Sequence, residues 1–190
     1  MDQATRRELP TRREGTFQER SSRGGSGSLL AQFERYEYLK TGGEAQTYKV
    51  YRDGKPYFLK LYLPECEVDL DLIAKVKEAS ERETAHLPQI FEYGEADHEG
   101  VRRAYELVEY IEGGTLRQLM EEWRQWPQER RLRVLEEVIR EVAEALHVLH
   151  RLNIIHRDLK PENILCRSRE PLETVAKVSV AGLKPTESKN

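Results

Sequence analysis

Residues 156–163 read His-Arg-Asp-Leu-Lys-Pro-Glu-Asn, and this stretch decides how the rest of the chain is interpreted. It brings a carboxylate, an ammonium group and an amide close together, at Asp158, Lys160 and Asn163. The preceding residues 152–155, Leu-Asn-Ile-Ile, predict a helix end, a turn and a buried strand. A basic surface turn containing proline is the simplest alternative. The agreement of eight positions in order, directly after a buried strand, favours a loop built for chemistry.

The stretch resembles the catalytic loop of protein kinases, H-R-D-x-x-x-x-N, in residue type and in spacing. Residues 160–162, Lys-Pro-Glu, are similar to those of serine/threonine kinases in particular. The resemblance implies that Asp158 orients the attacking hydroxyl or accepts its proton, that Lys160 contacts the transferred phosphate, and that Asn163 holds Mg²⁺. It also implies ATP and Mg²⁺ as cofactors, and transfer of the ATP γ-phosphoryl group to a Ser or Thr of a protein substrate that the sequence does not identify.

Patterns upstream of this loop predict the rest of a kinase-like fold. Strand patterns occur in order at residues 36–40, 47–51, 57–62, 89–93 and 101–108. Asp53-Gly54 is a hairpin signal between the second and third of these strands. Together with the resemblance, they predict an α+β fold. Its N-terminal lobe has a five-stranded antiparallel sheet plus one helix, and the first helices and catalytic loop of an incomplete C-terminal lobe follow.

The third predicted strand carries one lysine among apolar residues, and a glycine turn precedes it. The resemblance implies that Lys60 binds nucleotide phosphate, and that Gly42 and Gly43 let backbone N–H groups approach the phosphates. A strand lysine that points to solvent is the alternative for Lys60. The turn departs from the family's G-x-G-x-x-G, because Lys40 and Ala45 stand where its first and third glycines belong.

Residues 109–115, Glu-Tyr-Ile-Glu-Gly-Gly-Thr, resemble the hinge that joins the two lobes of a kinase. The resemblance implies that the Glu109 carbonyl and the Ile111 N–H bind adenine, that Thr115 lies near the ribose, and that Leu165 belongs to the same nucleotide site. An ordinary strand-to-helix loop with a Gly-Gly break is the alternative. The position of the segment, between the fifth predicted strand and a helix, favours the hinge.

A helix over residues 69–80 is the one expected to give Lys60 a carboxylate partner. Glu78 lies at about the right distance before the next strand and is the candidate partner. Its neighbours are not the apolar residues that the family carries, so Asp71 stays an alternative. A solvated helix face with no role at Lys60 is equally compatible with the pattern.

A long helix is predicted over residues 128–152, starting after Pro127. One apolar stripe at three- and four-residue steps is expected to be buried: Leu132, Leu135, Ile139, Val142, Leu146 and Leu149. In the family, later helices of the C-terminal lobe cover this stripe. Here it is predicted to be partly bare, which implies a protein partner that covers this face, or self-association.

The family pattern continues to about Glu173 and then breaks. Aligning Gly182-Leu183 with the end of the kinase Asp-Phe-Gly-Leu segment puts Val180 and Ala181 where Asp and Phe belong. An ungapped alignment gives residues 178–180, Val-Ser-Val, instead, and neither alignment supplies the metal-binding carboxylate. The chain is therefore expected to be truncated after the catalytic loop and to have negligible kinase activity. A non-catalytic binding module and a non-functional gene product, arising for example from a frameshift, are the alternatives.

Composition and the resemblance together give the predicted domain limits. They are a disordered Arg/Ser/Gly-rich arm at 1–30, a partial kinase-like domain at 31–173 (N-terminal lobe 31–108, hinge 109–115, incomplete C-terminal lobe 116–173) and a divergent disordered tail at 174–190. The formal net charge of −3 argues against a nucleic-acid partner. No apolar run is long enough for a membrane span, and two distant cysteines fit no metal or redox spacing. A cytoplasmic protein is expected.

Overall fold

The computed structural model describes residues 27–168, 176–179 and 184–185. Its strands are β1 (Arg35–Thr41), β2 (Ala45–Arg52), β3 (Lys55–Tyr62), β4 (Ile90–His98), β5 (Val101–Glu109), β6 (Ile154–Ile155), β7 (Ile164–Cys166), β8 (Ala176–Val178) and β9 (Lys184–Pro185). Its α-helices are α1 (Leu70–Arg82), α2 (Leu116–Glu122) and α3 (Gln128–Arg151). The first five strands form one antiparallel sheet in the order β1-β2-β3-β5-β4. The predicted α+β class is confirmed.

The outer face of this sheet is covered by the segment just before β1. Leu29 and Leu30 lie in a short 3-10 helix and are buried with Phe33 against the sheet. Ser28 forms a β-bridge with His98 of β4. The predicted limit of the disordered arm at residue 30 is therefore wrong, because the apolar outer face needs a cover and Leu29 and Leu30 supply it. The arm before residue 27 lies outside the described residues.

The inner face of the sheet belongs to a core that runs through both halves of the domain. Helix α1 packs its buried side chains, Leu72, Ile73, Val76 and Ala79, into this core. The same cluster includes Leu116 and Leu119 of α2, buried residues of α3, and the short strands β7 and β8. One continuous apolar core thus fixes the sheet against the second half of the domain.

Helix α3 begins and ends close to its predicted limits, but its buried face differs from the predicted stripe. The buried side chains are Val134, Val138, Val142, Ala145 and Leu149. Leu132 is 56% exposed and Ile139 is 66% exposed. The prediction of burial is therefore wrong at these two positions, because the helix turns its valine side to the core. Their exposure agrees with the further prediction that the stripe is partly bare.

The predicted disordered tail contains two strands. Ala176–Val178 pairs with β7 in antiparallel register, and all three of its residues are buried. Lys184–Pro185 pairs with β6 at Ile154–Ile155. The prediction of disorder is wrong for these two segments, because each finds a partner strand elsewhere in the fold. Residues 180–183 and 186–190 lie outside the described part of the chain.

Candidate functional site

Lys60 lies on the inner face of the sheet and is buried there. Its ammonium Nζ donates a hydrogen bond to the Tyr62 hydroxyl at 2.8 Å, and lies 3.9 Å from Glu106 Oε1. The Tyr62 hydroxyl donates in turn to the Glu106 carboxylate. Lys60 and Glu106 face each other because β3 and β5 pair them directly, and Tyr62 shares their side of the sheet because it is two residues from Lys60. The result is a buried chain of ammonium, hydroxyl and carboxylate.

Two opposing effects set the charge of Lys60. Burial lowers its pKa, because a charged ammonium is costly away from water, and the Glu106 carboxylate opposes this shift. The pKa of Tyr62 is raised, first by burial and then by the charge of Glu106. The Tyr62 hydroxyl therefore keeps its proton and acts as the donor to Glu106. The site holds a lysine next to a carboxylate that favours its charged form.

Glu78 does not pair with Lys60 in the structure, so this prediction is wrong. Helix α1 turns its apolar side to the core, and Glu78 lies on the opposite, exposed side, where it forms an ion pair with Arg82. The alternative, Asp71, is also exposed. The physical reason is the helical phase: Val76 and Ala79 occupy the buried side, and position 78 points away from it.

The turn between β1 and β2 is closed by a hydrogen bond from the Gly42 N–H to the Ala45 carbonyl at 2.8 Å. A Cβ atom at Gly43 would meet nothing within 4 Å, and one at Gly42 would lie 3.8 Å from the Ala45 oxygen. Neither glycine has a positive φ. The backbone of the turn therefore does not require glycine at these positions, and their role in phosphate approach stays a prediction.

The segment after β5 is fixed in place by contacts to other parts of the fold. The Glu109 carboxylate accepts hydrogen bonds from the Gln89 N–H at 3.2 Å and from the Lys177 ammonium. Gly113 packs so closely on β7 that a Cβ atom there would lie 2.2 Å from the Cys166 carbonyl oxygen. These contacts fix the path of the chain on both sides of Ile111.

Thr115 and Leu165, which sequence reasoning placed in the same site, are neighbours in the fold. They form an isolated β-bridge, and the Cys166 N–H donates to the Gly114 carbonyl at 2.8 Å. Thr115 is also the N-cap of α2, because its hydroxyl and the Gln118 side chain form a capping box. The threonine hydroxyl thus has a structural partner, and its place near the ribose stays a prediction.

The loop at 156–163 brings its three predicted site residues together. Asp158 Oδ2 lies 2.8 Å from Lys160 Nζ and accepts a hydrogen bond from Asn163 Nδ2 at 2.9 Å. The Lys160 hydrogen bond is the main cause that lowers the pKa of Asp158, and Asn163 adds to it. Asp158 also raises the pKa of Lys160. Asp158 is therefore a charged acceptor on the exposed side of the loop.

His156 anchors the loop from below. It is buried, and its Nε2 lies 2.7 Å from the Ser179 carbonyl oxygen, directly after β8. Arg157 has a φ of 58°, a left-handed conformation that is costly for a residue with a side chain. The loop is thus held in a strained shape by a contact to the segment that sequence reasoning assigned to the tail.

The described donors are a sparse set for Mg²⁺. Asn163 turns its amide nitrogen to Asp158, which leaves its amide oxygen as the candidate metal ligand. Among the described residues, no group of three or more His, Cys, Asp or Glu side chains could hold a metal ion. Mg²⁺ prefers an octahedral set of oxygens that includes carboxylates. Val180 and Ala181, the positions aligned with the missing Asp and Phe, lie outside the described residues and carry no oxygen in their side chains.

Sequence reasoning missed three residues of this region, Tyr62, Glu106 and Lys177. Glu106 carried a usable signal, because it is one acid inside the apolar run of β5, and a buried carboxylate needs a partner. Lys60 stands opposite it in the neighbouring strand. Lys177 gave no such signal, since its segment is too short to show a period.

Known proteins resemble this chain over most of its described length. The family described as "Protein kinase domain" matches residues 33–179, beyond the predicted end at Glu173. A probable serine/threonine-protein kinase of Streptomyces coelicolor is 31% identical over 143 residues, which are 72% of this chain and 21% of that protein. A MAP kinase-activated protein kinase of Caenorhabditis elegans is 31% identical over 129 residues, 68% of this chain and 22% of that protein.

One shorter match has a higher sequence identity. A MAP kinase-interacting serine/threonine-protein kinase of Xenopus laevis is 58% identical over 38 residues, 20% of this chain and 8% of that protein. The chain spans about a fifth or less of the length of these curated relatives. None of the helices among the described residues is both long and apolar enough to cross a bilayer.

Proposed function

The chain belongs to the protein kinase domain family, and on that premise we propose that it binds ATP between its sheet and its helical half but transfers phosphate at a negligible rate. The observation that carries the binding proposal is Lys60, a lysine buried on the inner face of the sheet beside Glu106. A buried lysine is uncommon unless it is paired, and a cation at this place suits a phosphate chain.

The proposed nucleotide site uses residues from four parts of the fold. The Glu109 carbonyl and Ile111 N–H bind adenine, and Thr115 and Leu165 lie beside the ribose and the ring. Lys60 binds phosphate oxygens, and the N–H groups of Gly42 and Gly43 approach the phosphates from the turn. Support comes from the Thr115–Leu165 bridge and from the contacts that hold Glu109 and Gly113 in place.

The proposed weakness lies in the catalytic half of the site. In this proposal Asp158 would orient a hydroxyl, Lys160 would contact phosphate, and the Asn163 amide oxygen would bind Mg²⁺. When bound, Mg²⁺ neutralises charge on the phosphates. The sequence between Glu173 and Glu187 contains no Asp or Glu, so this part of the chain cannot supply the metal-binding carboxylate that the family places there. Phosphoryl transfer depends on that neutralisation, and we therefore expect binding without turnover.

A phosphotransfer assay tests this proposal. The purified chain is incubated with radiolabelled ATP, Mg²⁺ and a general Ser/Thr substrate such as casein, with an active kinase as the positive control. We expect no incorporation above that of Asp158→Asn, either into the substrate or into the chain itself. Magnesium-dependent incorporation that Asp158→Asn abolishes would show that the chain is an active kinase.

A second role, as a binding module for another protein, is favoured by the exposed side of α3. Leu132 and Ile139 are large apolar side chains open to solvent. Leu132 also borders a cavity of about 430 Å³ whose lining includes Trp123 and Arg131. Among the described residues, Trp123 Nε1 and Arg131 Nε have no hydrogen-bond partner. A protein partner on this face would cover the apolar side chains; sedimentation over a range of concentrations tests whether the partner is a second copy of the chain.

A further inference from the structure

We propose that Glu106 and Tyr62 act as the positioning residues of Lys60, in place of a glutamate from helix α1, so that the sheet alone holds the phosphate-binding lysine. The proposal deepens the proposed function and rests on it for the role of Lys60 towards phosphate. It assigns to β3 and β5 a task that protein kinases usually divide between a strand and a mobile helix. Nucleotide binding would then not depend on where α1 lies.

The geometry places all three groups on rigid neighbouring strands. β3 and β5 pair from Tyr57–Glu109 to Leu61–Tyr105, and Lys60 and Glu106 are partners within that ladder. Tyr62 fills the gap between them, since the direct distance from Lys60 Nζ to Glu106 Oε1 is 3.9 Å. The hydroxyl accepts from the lysine at 2.8 Å and donates to the carboxylate. Each of the three side chains therefore has a defined partner.

Helix α1 offers no acid on the side that faces the core. Its acidic residues are Asp71, Glu78 and Glu81, and all three are exposed. Glu78 pairs with Arg82 and Glu81 pairs with Lys77, each one turn away on the helix surface. The buried side of α1 consists of apolar residues and Ser80. The helix thus contributes packing to the site, whereas the countercharge of Lys60 comes from the sheet.

The electrostatics agree with this geometry. Burial lowers the pKa of Lys60 and so favours its neutral form. The charge of Glu106 opposes this shift more strongly than Glu44 or Cys66 does. A lysine must be charged to bind phosphate, so Glu106 maintains the form that the proposed function needs. Removing the Glu106 charge should lower the pKa of Lys60 further and leave more of the amine uncharged at neutral pH.

The test is the rate at which an amine-acylating reagent modifies Lys60 in the native protein, followed by mass spectrometry across neutral and alkaline pH. Only the uncharged amine reacts. We expect Glu106→Gln to raise the labelling rate several-fold at neutral pH and to shift the pH profile downward, and Glu106→Asp to restore part of the parent profile. Glu78→Gln is the matched control, since it removes a carboxylate of the same size from α1, and its profile should equal that of the parent.

Each outcome decides the assignment. If Glu78→Gln shifts the profile and Glu106→Gln does not, α1 supplies the countercharge and the proposal is wrong. Where Glu106→Gln fails to melt cooperatively, Tyr62→Phe takes its place, because it removes the bridging hydroxyl and keeps the ring; an unchanged rate in this variant would overturn the proposal.

Protection of Lys60 by Mg-ATP separates this proposal from the proposed function. The pH profiles are recorded without nucleotide and report only on how Lys60 is held. If the pH profiles are as expected but Mg-ATP does not protect Lys60, the assignment of Glu106 and Tyr62 is upheld and nucleotide binding is contradicted. If Mg-ATP protects Lys60 several-fold less in Glu78→Gln than in the parent, α1 takes part in nucleotide binding. The proposal that the sheet alone holds Lys60 would then be wrong.

Discussion

Lys177 of β8 donates a hydrogen bond to the carboxylate of Glu109, the last residue of β5. Lys177 is 1% exposed, and burial lowers its pKa while Glu109 opposes that shift. The same carboxylate accepts from the Gln89 N–H at 3.2 Å. The segment that joins the sheet to the helical half is thus tied down by a strand far along the chain. The proposed adenine site depends on that tie, because Ile111 follows Glu109 by two residues.

Lys177→Met should destabilise the fold by about 3 kcal/mol, because it leaves the Glu109 carboxylate without its buried ammonium partner. The double variant Lys177→Met/Glu109→Gln should recover part of this loss, since no unpaired charge then remains. Urea unfolding measures both values. Lys75→Met, on the exposed side of α1, is the control and should be nearly neutral. Equal stability of Lys177→Met and Lys75→Met would contradict the buried pair.

Gly113→Ala should cost about 2 kcal/mol of unfolding free energy, because its Cβ would lie 2.2 Å from the Cys166 carbonyl oxygen and the backbone would have to shift. Gly43→Ala is the matched control. Nothing lies within 4 Å of a Cβ atom there, so we expect a change within about 0.5 kcal/mol. A larger loss at Gly43 than at Gly113, in the same urea titration, would argue against the close packing of Gly113 on β7.

The two cysteines should differ sharply in reactivity. Burial raises the pKa of the Cys166 thiol to about 12, so its thiolate is scarce at pH values below that, whereas Cys66 is only partly buried. Iodoacetamide at mildly alkaline pH should alkylate Cys66 in the native protein and Cys166 only after unfolding. The raised pKa contributes to the stability of the folded state, and this contribution is fully present below the ordinary thiol pKa. It is lost as the pH rises from the ordinary thiol pKa to the raised pKa of the folded protein. Native-state alkylation of Cys166 at the rate of Cys66 would show that β8 does not cover β7.

Neighbouring residues on α3 should respond in opposite ways to the same substitution. Val138→Glu places a carboxylate in the core and should cost more than about 3 kcal/mol, enough to unfold much of the chain. Ile139→Glu changes a side chain that is 66% exposed and should leave the melting temperature nearly unchanged. Thermal melts followed by circular dichroism compare the two. The reverse order would restore the predicted leucine stripe as the buried face.

Local patterns predicted the elements of the fold well. Asp53-Gly54 forms the expected hairpin turn, with φ of 52° and 70°, since both residues adopt the left-handed conformation that this dipeptide tolerates. The approximate limits of α1 and α3, and the succession of five strands along the chain, also follow from short-range periodicity. The loop at 156–163 was predicted as a unit, and its Asp158, Lys160 and Asn163 do lie together.

Features that depend on distant partners were not predictable in the same way. Leu132 and Val134 begin two stripes with similar spacing, which share Val142 and Leu149, so the helical period alone could not tell which one is buried. Strands β8 and β9 have three and two residues and show no period; each exists because β7 or β6 offers an edge. The wrong choice of Glu78 has the same origin, since the position of a helix in the sequence does not reveal which of its sides faces the core.

A thermal melt of the purified chain with and without Mg-ATP shows whether the chain binds nucleotide through Lys60. We expect a cooperative transition whose midpoint Mg-ATP raises in the parent chain but not in Lys60→Ala. Glu78→Gln, the control on α1, should respond to Mg-ATP as the parent does. A cooperative transition whose midpoint nucleotide leaves unchanged in the parent would show that the chain does not bind nucleotide, and an equal rise in Lys60→Ala would show that Lys60 is not part of the site.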